Sequence, residues 1–382
     1  MSSDTNGRAG ANSGSYLLPS SATDTISSLS WSPTANHLCS TSWDGKIHIY
    51  EVSQTGHAYN QATANPKAEA INENSAPVLC STFSSDGNTI YLGGGDNSVR
   101  MWQLGQQLNG AAPAKIGEHT MPVIAVCYYQ RLNWVVSTSF DKQLSFWNPQ
   151  QPMVKLGSIP MEDKAYAMDL RGDVLVVALA NNTINVYSMA GQGPELKFNL
   201  RSELKFQIRS IKVLPDCTGF SVGGIEGRVS IFPFEEIKTN NNGKEVSNRF
   251  AFRCHRQTDS QKRTHAYSIN VLAFHPNHSF ITAGGDGEIT FWDYNKRSRL
   301  KRLLTDNYDE WKNNAGSGFK TQSNTPVTAA NFNAQGTMLA YSCGYDWSKG
   351  SQGHNPAGGA ATNQIYVYVV QEFDVKQNPM KK

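Results

Sequence analysis

Short segments in which apolar and polar residues alternate recur along the whole chain, and most of them follow a turn residue. Apolar side chains stand at the third and fifth positions after that residue, and an aromatic side chain stands at the sixth. Alternation with a period of two, bounded by turn residues, predicts antiparallel β-strands. The six copies are Asp44 (DGKIHIY), Asp96 (DNSVRMW), Asp141 (DKQLSFW), Asn181 (NNTINVY), Glu226 (EGRVSIF) and Asp286 (DGEITFW).

A seventh copy is interrupted. Asp346 occupies the turn position in GYDWSKG, but the following strand, NQIYVYVV, comes only after a Gly- and Asn-rich insertion. A second element precedes the turns: an alternating strand, a turn, and an apolar strand that ends in small residues, as in INVLAFHPNHSFITAGG. The fourth copy, AYAMDLRGDVLVVALAN, is irregular but keeps this order.

The turn positions lie 40 to 60 residues apart, and the repeated unit contains strands only. This period predicts an all-β fold, a seven-bladed WD-repeat β-propeller with four strands in each blade. We label the strands of a blade a to d from the centre outwards. The blade cores are predicted near residues 26–52, 77–104, 122–148, 165–189, 208–233, 269–293 and 327–370.

The turn Asp is predicted to be structural. Its carboxylate can accept hydrogen bonds from nearby backbone N–H groups and so fix the b–c turn. Six matched copies also argue against catalysis as the reason for this residue. Trp102, Trp147 and Trp292 stand at the aromatic position of the repeat and are predicted to fill the core between blades.

The propeller is predicted to span residues 25–373, between a disordered N-terminal tail (1–24) and a polar C-terminal tail (374–382). Polar insertions, above all 53–75 and 303–325, are predicted to be rim loops. Many propellers pair the start of the chain with the last blade, but no residue pattern identifies such a strand here.

Composition narrows the functional classes. Six cysteines without a CxxC pair indicate reduced thiols, and no apolar run is long enough for a membrane helix. No nucleophile elbow, HExxH helix or P-loop is present. Cys254, His255 and His265 lack a fourth ligand at zinc-like spacing. We therefore predict a non-enzymatic, monomeric platform without metal or cofactor. A net charge of +3 is too small to attract nucleic acid without a local basic patch.

One candidate binding surface is the face to which the b–c turns point, which we call the turn face. Trp43 and Lys46 flank the first turn, and Ile225 and Arg228 flank the fifth. Trp and Arg commonly anchor interfaces, and an exposed Trp favours a partner that covers it. Alternatively, Trp43 packs on a neighbouring blade. The residues do not decide between these two interpretations.

The second candidate is a basic cluster on the outer strands of two consecutive blades. It joins NRFAFRCHRQTDSQKRTH (248–265) to KRSRLKR (296–302), where Arg297, Arg299 and Lys301 are expected to share one side. Arginine beside an aromatic ring suits single-stranded nucleic acid, because the charge follows phosphates and the ring stacks on a base. An ordinary solvated rim is the alternative.

Five segments, GGIEGRVSIF, FAFRCHR, YSINVLAFHP, GGDGEITFWD and YSCGYDWSKG, resemble the messenger-RNA export propeller of the nuclear pore, the Rae-one/Gle-two family. The resemblance covers about Thr25 to Lys381. The mitotic-checkpoint propellers of the Bub-three type, a sister family, share the GxIEGRV and FxCHR signals, whereas YDWSKG resembles the export branch.

The resemblance implies a function and sites. Such propellers bind a short hairpin-forming segment of a phenylalanine-glycine-repeat nucleoporin on the turn face, where acidic residues of the segment meet basic residues. Trp43 and Arg228 match this role by motif. The family also contacts single-stranded RNA, and the matching residues are Phe252, Arg253, Arg256, Trp292, Arg297 and Arg299. This role requires Trp292 to be partly accessible, contrary to its predicted place in the core.

The leading expectation is therefore an adaptor in poly(A) messenger-RNA export, located in the nucleus and at the nuclear pore, shuttling to the cytoplasm, and without membrane contact. The alternative is a kinetochore adaptor that binds checkpoint kinases through a similar peptide.

Overall fold

The computed structural model describes residues 15–19, 22–54, 62–106, 108, 111–235, 237–239, 245–247, 249–304, 325–353 and 363–376. Seven antiparallel four-stranded sheets form a seven-bladed β-propeller, which confirms the predicted fold class. Strands are numbered in chain order. The first three blades comprise β2 (Ile26–Trp31), β3 (His37–Ser42), β4 (Lys46–Gln54) and β5 (Ala62–Ile71); β6 (Val78–Phe83), β7 (Thr89–Gly94), β8 (Ser98–Gln103) and β9 (Ala114–Glu118); β10 (Val123–Tyr129), β11 (Trp134–Ser139), β12 (Gln143–Trp147) and β13 (Lys155–Pro160).

The other four blades repeat the same a-b-c-d order. They comprise β14 (Ala165–Arg171), β15 (Val174–Leu179), β16 (Thr183–Ser188) and β17 (Glu195–Arg201); β18 (Ile208–Val213), β19 (Gly219–Gly224), β20 (Arg228–Pro233) and β23 (Phe250–Arg253); β26 (Ile269–Phe274), β27 (Ser279–Gly284), β28 (Glu288–Asp293) and β29 (Ser298–Leu304); β30 (Val327–Phe332), β31 (Met338–Cys343), β32 (Gln364–Val369) and β1 (Ser15–Leu17).

Two small hairpins and four short helical segments complete the described fold. The hairpins are β21 (Ile237–Thr239) with β22 (Glu245–Ser247), and β24 (Arg256–Thr258) with β25 (Thr264–Ala266). The helical segments are three 3-10 turns (Glu73–Ser75, Gln130–Leu132 and Gly350–Gly353) and the α-helix α1 (Glu372–Val375).

The start of the chain closes the ring. β1 pairs with β32 in the register Ser15↔Tyr368 to Leu17↔Tyr366, and the Leu18 amide donates to the Ile365 carbonyl at 2.8 Å. Residues 15–17 therefore belong to the seventh blade, which corrects the N-terminal boundary predicted at residue 25. Residues 1–14 of the predicted tail lie outside the described residues.

The C-terminal boundary also moves. Asp374 is fully buried, although it was assigned to a polar tail. Its carboxylate accepts hydrogen bonds from Lys301 Nζ and the Tyr368 hydroxyl, both at 2.6 Å. Helix α1 packs against β28 and β29, so residues to at least Val375 belong to the propeller and join blades 6 and 7.

The polar insertion predicted at 53–75 contains the outer strand of blade 1. β5 pairs with β4 along its whole length, and Ala64 and Ala70 are buried against the blade. Alanine supplied too weak an apolar signal for this strand to be recognised. Residues 55–61 and most of the insertion predicted at 303–325 lie outside the described residues.

Buried side chains between neighbouring blades form the core. Trp102 and Trp147 are buried there as predicted, whereas Trp292 is only half-buried. All six cysteines are free thiols, and Cys39, Cys254 and Cys343 are buried. Burial raises the pKa of the Cys39 thiol to about 12, which keeps it protonated and unreactive near neutral pH.

Candidate interaction surfaces on the turn face and the outer rim

The inner strands of successive blades begin at the same face of the propeller. Ser210 Oγ donates to the carbonyl of Ile269, the first residue of the next inner strand, at 3.3 Å. Asn270 Nδ2 donates in the same way to the carbonyl of Val327, at 2.9 Å. Because each blade is an antiparallel meander, the b–c turns and the d–a loops lie on this turn face. The a–b and c–d turns lie on the opposite face.

The turn residues act as the sequence predicts. In six of the seven turns the side chain accepts a hydrogen bond from the backbone N–H two residues later. The acceptors are Asp44, Asp96, Asp141, Asn181, Asp286 and Asp346, at 2.9–3.2 Å. Glu226 differs, because its Oε1 accepts from the Lys205 backbone N–H at 2.8 Å. The prediction that this position is structural is confirmed.

Two blades add a buried network that the sequence analysis missed. His119 Nδ1 lies 2.9 Å from Asp141 Oδ2, and His119 Nε2 lies 2.8 Å from Ser137 Oγ. Trp147 Nε1 donates to the same Ser137 oxygen at 2.7 Å. This network ties a d–a loop, strand b, the b–c turn and strand c into one unit.

The same four-residue network occurs in blade 6. His255 Nδ1 lies 2.8 Å from Asp286 Oδ1, His255 Nε2 lies 2.8 Å from Thr282 Oγ1, and Trp292 Nε1 donates to that hydroxyl at 2.9 Å. His255 is therefore engaged in the fold rather than held ready for a metal. Among the described residues no group of three potential metal ligands converges.

Burial and hydrogen bonding shift the pKa values of the blade 3 network in opposite directions. Burial lowers the pKa of His119 and outweighs the attraction of the Asp141 carboxylate. Burial alone would raise the pKa of Asp141, but His119 and backbone hydrogen bonds from Thr120 and Gln143 lower it overall. The resting pair is thus a neutral imidazole beside a carboxylate.

Trp43 packs on a neighbouring blade and is still partly exposed. Its ring lies 5.8 Å from the ring of Trp347 in blade 7, so it does pack on a neighbouring blade. Nevertheless 41% of the residue is exposed. Trp347 in turn lies 5.7 Å from Tyr345, which gives an aromatic cluster on the turn face. Lys46 is half-buried at the start of β4, beside Asp44.

Four further exposed apolar residues lie on the turn face, and the sequence analysis named Ile225 but not the other three. They are Ile71, Met121, Phe206 and Ile225, with 38–56% of each residue exposed. Three of them lie in or beside d–a loops, where an apolar side chain has no place in the strand pattern. That mismatch is the signal by which the sequence could have identified them.

Arg228 lies on the turn face at the start of β20. It is half-buried, and its Nε has no hydrogen-bond partner among the described residues. Its register partner on β23 is Arg253, which is exposed. Arg256 donates from Nη2 to the Glu226 carbonyl at 2.8 Å, and its buried Nε also lacks a partner in the described chain. Three arginines therefore stand together around the fifth b–c turn.

The outer rim holds the aromatic part of the predicted RNA surface. The rings of Phe252 and Trp292 lie 4.7 Å apart in the groove between blades 5 and 6. The Arg297 guanidinium stacks over the Phe250 ring at 4.3 Å. Arg297 and Arg299 are both exposed, and the half-buried Trp292 fits the accessible role better than the fully buried one.

The structure thus divides the predicted basic cluster. Arg253 and Arg256 lie on the turn face with Arg228, whereas Arg297 lies in the c–d turn at the opposite end of blade 6. Lys301 does not share a side with Arg297, because it bonds Asp374 and lies over the Tyr368 ring of blade 7. A β-bulge between the register pairs of Phe291 and Trp292 changes the side to which β29 residues point.

No helix in the described residues is long and apolar enough to cross a membrane.

The fold and its repeats define a WD-repeat propeller. The family model "WD domain, G-beta repeat" matches residues 15–51, 68–103, 113–148 and 258–293.

Three relatives match almost the whole chain. Protein RAE1 of Arabidopsis thaliana is 36% identical over 368 residues, covering 96% of this chain and 93% of that protein. WD40 repeat protein poxJ of Penicillium oxalicum is 33% identical over 372 residues, covering 96% of both. The mRNA export factor GLE2 of Chaetomium thermophilum is 32% identical over 348 residues, covering 88% of this chain and 86% of that factor. The chain belongs to the Rae-one/Gle-two family of WD-repeat proteins.

Proposed function

We propose that this protein is a non-enzymatic adaptor in poly(A) messenger-RNA export that works in the nucleus and at the nuclear pore and shuttles to the cytoplasm. In this proposal the propeller is a monomer and carries two binding surfaces. The turn face holds a short acidic segment of a phenylalanine-glycine-repeat nucleoporin, and the outer rim contacts single-stranded RNA weakly. Relatives named as mRNA export factors support this role over the kinetochore alternative.

The observation that carries the proposal is the chemistry around Arg228. Arg228 is half-buried, so part of its guanidinium stays accessible, and such a planar fork can bind a carboxylate bidentately. Arg253 and Arg256 add positive charge beside it, and exposed Ile225 adjoins the same turn. A segment carrying both carboxylates and apolar side chains complements this surface.

Trp43 supplies the second anchor on the turn face. Its ring rests on Trp347, which limits its rotamers, while its outer part is open to solvent. A ring that is already held in place loses little entropy when a partner covers it, so its apolar burial contributes fully to affinity.

Affinity capture with mass spectrometry tests the nucleoporin part. The wild-type protein should enrich phenylalanine-glycine-repeat nucleoporins from a nuclear extract, and Arg228→Glu should not. Calorimetry with the captured segment should then show a loss of about 2–5 kcal/mol, the usual cost of removing one partner of a desolvated charge pair. Arg228→Lys separates the two components, because it keeps the charge but loses the planar fork.

Trp43→Ala should also weaken capture, and Phe373→Ala is its matched control. Phe373 is exposed to 60% on helix α1, away from the turn face. Equal nucleoporin capture by the wild type and Arg228→Glu would reject this site. Equal capture by Trp43→Ala and Phe373→Ala would reject the aromatic anchor.

The RNA part rests on the rim. Phe252 and Trp292 offer ring faces in the groove, and Arg297 and Arg299 offer exposed charge. Arg297→Ala with Arg299→Ala should reduce the slope of log affinity against log salt by roughly 0.7 for each phosphate that the variant no longer neutralises. Phe252→Ala should weaken binding with the slope unchanged, because stacking releases no counterions. Lys155→Ala with Lys197→Ala, on outer strands elsewhere, is the control pair.

A further inference from the structure

A second aromatic groove lies between blades 4 and 5 and is not used by the proposed function. Its outermost ring is Phe198 on β17, which is 44% exposed. Phe198 stacks nearly parallel on Phe234, with ring centroids 5.8 Å apart and planes at 16°. Phe234 packs on Phe220, which stacks on the buried Phe232 at 5.0 Å. The core therefore supports a ring whose outer part is open to solvent.

This groove corresponds position by position to the one between blades 5 and 6. Phe198 is the register partner of Val186, the fourth residue of β16, and Phe250 is the partner of Ile231, the fourth residue of β20. Phe234 comes directly after the last residue of β20, as Tyr294 does after β28. Phe198 on Phe234 is therefore equivalent to Phe250 on Tyr294, where the rings lie 6.3 Å apart.

The two grooves differ in what covers the outer ring. Arg297, from the c–d turn of blade 6, places its guanidinium over Phe250 at 4.3 Å. Arg297 has a left-handed backbone, with φ of 52°, and lies in a short turn. The corresponding c–d connection of blade 5 runs from Phe234 to Arg249, and its described part contains the β21–β22 hairpin. Among the described residues no cation is stacked on Phe198.

One carboxylate lies on the same side of the strand as Phe198. Val186 and Ser188 are two residues apart on β16, so their side chains share a face. Their register partners on β17 are Phe198 and Glu195, which therefore point to that same side. Lys197 lies 2.7 Å from Glu195, but both side chains are exposed and such a surface ion pair is weak, so a stacked guanidinium can replace the Lys197 ammonium on this carboxylate. Arg249 lies 3.5 Å from Glu203. Arg249 lies over Phe232, not over Phe198.

We propose that the groove between blades 4 and 5 binds an arginine side chain of a partner protein, whose guanidinium stacks on Phe198 and pairs with Glu195. In the equivalent groove between blades 5 and 6, the Arg297 guanidinium stacks on the equivalent ring, Phe250. Guanidinium groups are planar and weakly hydrated, so they stack on aromatic faces better than an ammonium does. RNA is disfavoured here, because it carries no cation that could pair with Glu195.

Nuclear magnetic resonance with small probes tests this directly. N-acetyl-arginine amide is titrated into protein labelled at leucine methyls and phenylalanine rings. N-acetyl-lysine amide and uridine monophosphate are titrated separately as comparison probes. Leu200 is the reporter, because its register partner Ile184 faces blade 5 together with Val186. The arginine probe should shift Leu200 saturably at millimolar concentration, and the lysine probe should bind about 3–5 times more weakly.

Variants complete the test. Phe198→Ala and Glu195→Lys should each reduce the arginine response at Leu200 to the level of the lysine probe, with unchanged thermal melting. Arg297→Ala should open a second arginine site, detected as a new response of the Phe250 ring.

Equal responses to arginine and lysine, no response, or a response only to uridine monophosphate would overturn the proposal. Leu200 lies at the turn-face end of β17, but Phe198→Ala and Glu195→Lys leave Trp43 and Arg228 unchanged, so these outcomes are independent of the nucleoporin proposal.

Discussion

Arg228 and Arg253 are register partners on neighbouring strands, so two arginines expected to serve different ligands stand side by side at one end of blade 5. Arg256 joins them through its bond to the Glu226 carbonyl. The arginines of the predicted RNA surface are thus shared between the two faces of the propeller.

Arg253→Ala with Arg256→Ala should weaken binding of the acidic nucleoporin segment about tenfold or more, because two charges beside Arg228 are removed. The salt slope of RNA binding should hardly change. Calorimetry with the peptide and fluorescence anisotropy with single-stranded RNA measure the two effects. A flattened salt slope of RNA binding with unchanged peptide affinity would instead show that both arginines bind RNA.

Ser137→Ala should lower the free energy of unfolding by about 1–3 kcal/mol, because it leaves His119 Nε2 and Trp147 Nε1 buried without their partner. Ser145→Ala is the matched control. Ser145 is equally buried on β12, but its hydroxyl has no partner in the described part of the chain, so its removal should cost little. Urea denaturation measures both, and equal losses of stability would contradict the structural role of the network.

The protein should lose stability on mild acidification. Burial lowers the pKa of His119 from its ordinary value of 6.5, and those of His37, His48 and His275 shift in the same direction. The unfolded chain then binds more protons than the folded one as pH falls below about 6.5, so the free energy of unfolding decreases towards the folded pKa values.

Each such histidine contributes at most about 1.4 kcal/mol per pH unit. Urea titrations at pH 7.5 and 5.5 measure the slope, and His119→Gln should make it shallower. A free energy of unfolding that rises between pH 7.5 and 5.5 would be incompatible with these neutral, buried imidazoles.

Removing residues 1–17 should destabilise the ring by about 2 kcal/mol or more, because blade 7 then lacks its outer strand and the hydrogen bond between Ser15 and Tyr341 at 3.0 Å. Removal of residues 1–14 alone is the control, and this truncation should melt at a higher temperature than the truncation that also removes β1. Identical melting of the two truncations would show that β1 does not close the ring.

The sequence was sufficient for the repeat architecture but not for every strand. The a and b strands precede the turn Asp, the c strand follows it, and all three carry large apolar residues, so their periodicity could be recognised in the sequence. β1 is only Ser-Tyr-Leu, and β5 turns alanines inward, so neither has a hydrophobic signal of ordinary strength. Asp374 was assigned to a polar tail because only the folded chain reveals the lysine and tyrosine that bond it.

The structure groups the candidate site residues differently from the sequence analysis, and their binding roles stay predictions. Trp43, Arg228 and Trp292 lie at surface or half-buried positions that suit their expected roles. Sequence order placed Arg253 with Phe252, but successive strand residues face opposite sides, and the end of β23 brings Arg253 to Arg228. A bulge, which leaves no mark in the sequence, separated Arg297 from Lys301.

The most direct test of the central claim is rescue of messenger-RNA export. Cells depleted of this protein should accumulate poly(A) RNA in the nucleus, as measured by oligo(dT) hybridisation, and the wild-type protein and Phe373→Ala should reverse the accumulation. Arg228→Glu, although folded and expressed equally, should fail and should be lost from the nuclear rim. Full rescue by Arg228→Glu, or an export defect absent on depletion with kinetochore staining in mitosis instead, would contradict the account.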